Sequence, residues 1–273
     1  MRPIAYTIAL LALGGAACAP AEQTNATVNT AASQKDALAA AIASPHRDPD
    51  NVARDQYRHP AETLEFFGVK PDDMVVEIWP GGGWYTEILA PYLAEEGSLA
   101  LVASERGLSS VRKMMEKDPE TYRSVILSPM DSPSSPTSFP AESADVVLTF
   151  RNVHNWEMGD KPYGAEFFAS MFRMLRPGGT LGVVDHRLPE NRPDEMMRTS
   201  GYMKQSRVIE LAEAAGFELV DTSEINANSK DNANYEKGVW TLPPRLAEGD
   251  KDREKYQAIG ESDRMTLKFR KPE

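Results

Sequence analysis

The sequence predicts an α/β fold, a doubly wound, mostly parallel seven-stranded sheet with the last strand antiparallel, and three observations predict it. From residue 74 onward, short apolar runs alternate with helix-like patterns, which calls for parallel strands covered on both faces. The first run, Val75-Val76-Glu77-Ile78, passes straight into Trp79-Pro80-Gly81-Gly82-Gly83-Trp84-Tyr85, a small-residue turn that lets a ligand approach the backbone. At the other end Met265, Leu267 and Phe269 alternate as in a strand with one buried face. No clear crossover helix separates that strand from the one before it, so the two are expected to pair antiparallel at the sheet edge.

The elements follow in order. Residues 1–21 read as an export signal: Met1-Arg2 is a positive start, residues 4–13 are an apolar run too short to span a bilayer, and small residues lead to Cys18. The segment resembles a bacterial lipoprotein signal, which implies cleavage, lipidation of Cys18 and a periplasmic protein attached to the membrane through that cysteine. Cleavage nearby without lipidation is the alternative. Residues 22–44 read as a tether rich in Asn, Thr and Ala, with a short helix at 37–43 ended by Ser44-Pro45. The polar run 45–59, with Arg47, Arg54, Arg58 and His59, reads as a lid-like segment able to close a cleft or to sit in surface ion pairs.

The α/β domain occupies residues 60–273. A helix at 60–67 stops at Gly68. Strands are expected at 74–78, 99–103, 124–127, 144–150, 180–184, 217–221 and 264–270, with helices at 85–93, 110–117, 165–175 and 206–215. The proline- and serine-rich stretch 132–140 is loop, Arg176-Pro177-Gly178-Gly179 is a turn, and 226–261 is a polar excursion carrying Trp240-Thr241-Leu242-Pro243-Pro244.

Composition narrows the partners. With 41 acidic against 30 basic side chains the net charge is -11, which repels phosphate backbones and argues against nucleic acid. The single cysteine excludes an intramolecular disulfide. No feature of the sequence points to a protein partner.

Ligands of open parallel sheets bind beyond the carboxyl ends of the strands. There the sequence places Trp79 and the glycines, then Arg151-Asn152-Val153-His154-Asn155-Trp156, then Asp185-His186-Arg187. Either His154 or His186 could serve as a general base near neutral pH; the alternative is a structural role, in which His154 hydrogen-bonds within a loop and Asp185 orients His186. A metal site from His154, Asp185 and His186 is disfavoured, because adjacent strand residues point to opposite faces. A dinucleotide-binding dehydrogenase is also disfavoured, since the pyrophosphate fingerprint is missing and an acid, Glu77, stands within the strand before the turn.

Over residues 60–273 the chain resembles the class I S-adenosylmethionine-dependent methyltransferases. Within them it resembles a group of predicted exported bacterial methyltransferases of unknown substrate. The residues that carry this are Glu77 to Tyr85, Arg151-Asn152-x-His154-Asn155-Trp156, Asp185-His186-Arg187 and Ser262-Asp263-Arg264. The resemblance implies a Rossmann-like methyltransferase fold, S-adenosylmethionine as cofactor and methyl transfer to a small-molecule acceptor. It also implies cofactor contacts: Glu77, Trp79, Gly81, Gly83 and Tyr85 around the methionine end, Glu105 on the ribose hydroxyls, Asp131 near the adenine amino group, and Arg151 between cofactor and substrate. His154, His186 and Arg151 are the candidate catalytic residues. An exported, non-catalytic small-molecule binding protein on the same scaffold is the alternative.

Overall fold

A computed structural model describes residues 21–135 and 139–273, with residues 21–31 described by backbone alone. The signal and Cys18 lie outside the described residues. The main sheet runs in the order β3-β2-β1-β4-β5-β8-β7, with β1 Met74–Ile78, β2 Ser98–Ala103, β3 Val125–Pro129, β4 Ala144–Phe150, β5 Leu175–Leu188, β7 Glu218–Ser223 and β8 Arg264–Arg270. A two-residue β6, Met203–Lys204, pairs with the far end of β5. β1 to β5 are mutually parallel, while β8 is inserted between β5 and β7 and is antiparallel to both. The last strand is therefore interior, and the mostly exposed β7 forms the edge.

Ten α-helices accompany the strands among the described residues: α1 Ala21–Ile42, α2 Pro49–Val52, α3 Asp55–Arg58, α4 Pro60–Phe67, α5 Thr86–Leu93, α6 Ser109–Lys117, α7 Val153–Glu157, α8 Gly164–Met174, α9 Gln205–Ala214 and α10 Arg253–Ile259. Alternation along β1 divides the core. Val75 joins Leu64, Ile88, Leu89 and Leu99 on one face, while Val76 and Ile78 join Val147, Phe167, Phe168 and Met171 on the other. Glu77 follows the period of Val75 and so points toward the face of α5. No helix among the described residues is long and apolar enough to cross a membrane.

Three expectations change. The stretch expected to be a tether is helical from Ala21, because an Ala-rich run without Gly or Pro lets the helix propagate backward at little cost. β5 extends in both directions beyond 180–184, taking in the Arg-Pro-Gly-Gly turn as an irregularity in its ladder with β4. Residues 45–59 are fixed onto the body. Arg47 forks onto Asp55 through two 2.8 Å bonds, and Trp84 Nε1 donates to the Asn51 carbonyl at 2.9 Å. The guanidiniums of Arg47 and Arg58 lie 5.3 and 4.7 Å from the Trp84 ring centre.

Candidate active site

The turn after β1 is set by hydrogen bonds from two directions. Glu77, buried in the strand, accepts from Thr86 Oγ1 at 2.7 Å, at the first residue of α5. Burial pushes its carboxyl up to about 7 in spite of that bond. From the neighbouring strand, Asn152 Nδ2 donates to the carbonyls of Ile78 at 2.9 Å and Trp79 at 3.2 Å. Trp79 thereby sits at φ 53°, left-handed backbone that a bulky residue adopts only when its surroundings impose it. Its indole packs edge-on to Trp156 and Phe167, at ring distances of 6.0 and 5.3 Å.

The glycines of this turn do different work. A Cβ on Gly81 or Gly82 would meet nothing within 4 Å, so both border open space. Gly83 differs: its φ of 84° is left-handed backbone, and a Cβ there would fall 2.5 Å from Met114 Sδ, so its small size serves backbone conformation and close packing against α6. Trp79 separates two cavities of about 310 Å³ each. One is lined by Gly81, Arg151, His154 and His186 and walled by Trp240, Leu242, Pro243 and Pro244. The other lies among Ser104, Met130, Asp131 and Phe167.

His154, in α7, and Asp185, in β5, form a buried dyad. Nδ1 of His154 lies 2.7 Å from Asp185 Oδ1, and the His154 backbone N–H donates to Oδ2 at 2.8 Å. A carboxylate accepts only, so Nδ1 carries the proton and Nε2 keeps its lone pair. Among the described residues Nε2 has no hydrogen-bond partner, and His154 lines the first cavity.

Asp185 was expected to orient His186. Instead it gives its side chain to His154, and only the backbone N–H of His186 reaches it, at 2.8 Å. His186 Nδ1 pairs with Ser262 Oγ at 2.5 Å. Burial holds His186 well below its usual value, with His154 and the arginines Arg151, Arg264 and Arg58 acting in the same direction. It is therefore a neutral imidazole and a weak base.

The separate sequence motifs are one unit in space. β5 and β8 pair with His186 opposite Arg264. This register joins His186 to Ser262, and Arg187 to Asp263 by bonds of 2.8 and 3.0 Å. Arg264 then meets Glu261 at 3.0 Å. Glu261 also accepts from Arg54 Nε at 2.6 Å and Arg58 Nε at 3.2 Å, across 207 and 203 residues of chain. Burial alone would raise the Glu261 carboxyl, but Arg264, Arg58 and Arg54 overrule it and hold it at about 2.

The donor atoms of His154, Asp185 and His186 lie within 4.8 Å of one another, closer than strand geometry suggested, because His154 arrives from another element. Charge opposes a cation there: Arg151, Arg264 and Arg58 all face His186, and both Asp185 oxygens already accept hydrogen bonds.

Of the residues expected at the site, Trp79, Gly81, Arg151, His154 and His186 converge on the first cavity, and Asp131 lies with Trp79 on the second. Glu77 lies beneath the turn. Three others line neither cavity: Gly83, which packs against α6, Tyr85 and Glu105. Tyr85 is buried, stacked on Phe150 with ring centres 3.5 Å apart, and belongs to the core. Glu105 is exposed and paired with Arg112 at 2.8 Å, while its neighbour Ser104 borders the second cavity. Sequence reasoning missed Glu261, for which the adjoining Ser262-Asp263-Arg264 was the available signal, and the anchoring role of Trp84, hidden inside the glycine motif.

Comparison with known proteins agrees with this architecture. Residues 76–183 match the family model described as a methyltransferase domain. The ubiquinone/menaquinone biosynthesis C-methyltransferase of Teredinibacter turnerae is 29% identical over 132 residues, 47% of this chain and 49% of that protein, so the match spans about half the length of this relative. A SAM-dependent methyltransferase from Aquifex aeolicus superposes with a TM-score of 0.55 at 16% identity, over 82% of this chain and 94% of that one. The [4+2]-cyclase SpnF superposes at 0.57 and 17%, over 92% and 95%. At these identities the two solved structures speak to the fold, and the second shows that the fold also serves other chemistry.

Proposed function

From a chain that carries the fold and the domain signature of the class I S-adenosylmethionine-dependent methyltransferase superfamily, we propose methyl transfer to a small acceptor bound beside His154. The residues fit the cofactor. Gly81 and Gly82 present bare backbone to open space that a side chain would fill. Glu77 is a buried acid under the same turn, suited to a cationic amino end, and the second cavity combines Asp131 with the apolar faces of Met130 and Phe167, suited to a purine. Ser104, rather than Glu105, is the polar group on the ribose side.

S-adenosylmethionine, when bound, supplies an electrophilic methyl group, so the acceptor needs alignment and an outlet for one proton. His154 provides the outlet: its Nε2 takes the acceptor proton while Asp185 keeps the ring in the required tautomer and stabilises the imidazolium. His186, held neutral, leaves this task to His154. Asn152 fixes the end of β1 against the end of β4, so that turn and base move as one body. The dyad beside the glycine turn is the observation that carries the reading, since a purely binding protein has no use for an oriented base.

The test is transfer of labelled methyl from S-adenosylmethionine to a panel of small acceptors, with calorimetry of cofactor binding alongside. Binding with turnover that His154→Gln abolishes is expected. Absence of cofactor heats in folded protein would overturn the reading. Residues 1–21 support the further proposal that the protein is exported, which the mature N-terminus and its lipidation state, read by mass spectrometry of the cell envelope, would decide.

A further inference from the structure

The charges behind the first cavity do not balance. Three guanidiniums, from Arg54, Arg58 and Arg264, share the single carboxylate of Glu261. Arg58 is 2% exposed, yet its Nη2 and that of Arg54 are buried with no hydrogen-bond partner. Arg151, which lines the cavity beside Glu261, has no side-chain hydrogen bond or ion pair among the described residues. The other acid facing it, Asp185, is already engaged by His154 and His186. A guanidinium facing a cavity without a counter-ion is unfavourable, and a perturbed charge in a cleft is a mark of a ligand site. The opposite wall, by contrast, is mostly apolar, with Val239, Trp240, Leu242 and two prolines, and Arg245 at its end.

We propose that the acceptor is a small organic acid whose anionic oxygen group is held by Arg151 while its apolar part lies against Trp240 and Leu242. The proposal rests on the methyltransferase reading only in calling the occupant an acceptor. A guanidinium binds carboxylate or phosphate as a planar fork, and such a pair gains strength where water is thinned out. The cofactor does not answer the imbalance by itself, since its one carboxylate is accompanied by an ammonium and a sulfonium. A metal ion would worsen it.

The experiment compares matched ligands on the full chain saturated with S-adenosylhomocysteine: arylalkyl carboxylic acids against their carboxamides, and aryl phosphates against the corresponding alcohols. Acids are expected to bind about tenfold tighter or more, the order of one charge-assisted pair. That preference should vanish in Arg151→Gln, with folding checked by circular dichroism. Equal binding of acids and amides to the unmodified protein overturns the proposal without any variant. So does a persistent preference in Arg151→Gln, or loss of S-adenosylhomocysteine affinity in that variant with no acid preference in the wild type, which would assign Arg151 to the cofactor's carboxylate. Acid preference without S-adenosylhomocysteine binding would leave the anion site standing and overturn the methyltransferase reading instead.

Discussion

At the residue scale, the proposed role of His154 depends on one hydrogen bond. His154 Nδ1 is committed to Asp185, and that leaves Nε2 basic and directed to the cavity; His186 is surrounded by positive charge and stays neutral. Asp185→Asn can offer an N–H to Nδ1 and so turn the ring into the wrong tautomer. Turnover is expected to fall by roughly 10²- to 10⁴-fold with cofactor affinity unchanged, to be read by single-turnover kinetics and calorimetry. Wild-type turnover with Asn at 185 would remove the dyad from the mechanism. Glu77 gives a second residue-scale prediction. Its carboxyl lies at about 7, and a cationic ligand group above the turn favours the ionised form. Cofactor binding near pH 6 should therefore release a proton, seen as heats that differ between buffers of different ionisation enthalpy. In Glu77→Gln this proton release near pH 6 should vanish.

At the element scale, the turn between β1 and α5 separates space for a ligand from space for packing. Gly82 has ordinary backbone and open space where a side chain would go, so Gly82→Leu is expected to fold as the parent does and to lose cofactor binding. Gly81→Leu should also lose binding, but with an added penalty of about 1–2 kcal/mol from its φ of 61°. Gly83→Ala should chiefly destabilise, because Met114 occupies the Cβ position. Thermal melts beside titrations distinguish these three outcomes. This turn also shows what the sequence could reveal. β1 and β4 are legible to the residue because strands buried on both faces read as unbroken apolar runs, and the glycine cluster marks their functional end. Local pattern does not say which way a glycine faces: Gly83 and Gly81 look alike until α6 is in place. Nor does it say where Glu105 and Tyr85 lie: the structure pairs one with Arg112 from the next helix and stacks the other on Phe150 from another strand. Glu261 adjoins the Ser262-Asp263-Arg264 stretch, but two of its three arginine partners lie more than 200 residues away, beyond the reach of local pattern.

At the scale of the whole molecule, two buried acids pull stability in opposite directions with pH. Glu261 ties residues 45–59 to the last strand through Arg54, Arg58 and Arg264, and its carboxyl is held at about 2 against an ordinary 4.5. Its contribution is therefore complete above about pH 4.5 and is lost as pH falls toward 2. Glu261→Gln leaves two buried guanidiniums, Arg58 and Arg264, and the part-buried Arg54 without their counter-ion and should destabilise by about 3–5 kcal/mol at neutral pH, measurable by urea unfolding. Glu77 has the reverse sign. Its carboxyl rises from 4.5 to about 7 on folding, so the neutral acid is what the fold prefers, and stability declines as pH climbs through that window. The separation corresponds to about 3 kcal/mol at pH 8. Glu77→Gln, which keeps the shape and the partner Thr86 without the charge, should accordingly be more stable than the parent at pH 8 by up to that amount, and indistinguishable from it near pH 4.5. Urea midpoints at the two pH values test this directly, and equal midpoints at pH 8 would refute it. An acid that destabilises the folded chain above neutral pH, directly beneath a turn with bare backbone, supports the proposed cofactor site above it, since the stability of the sheet gives no reason to keep it.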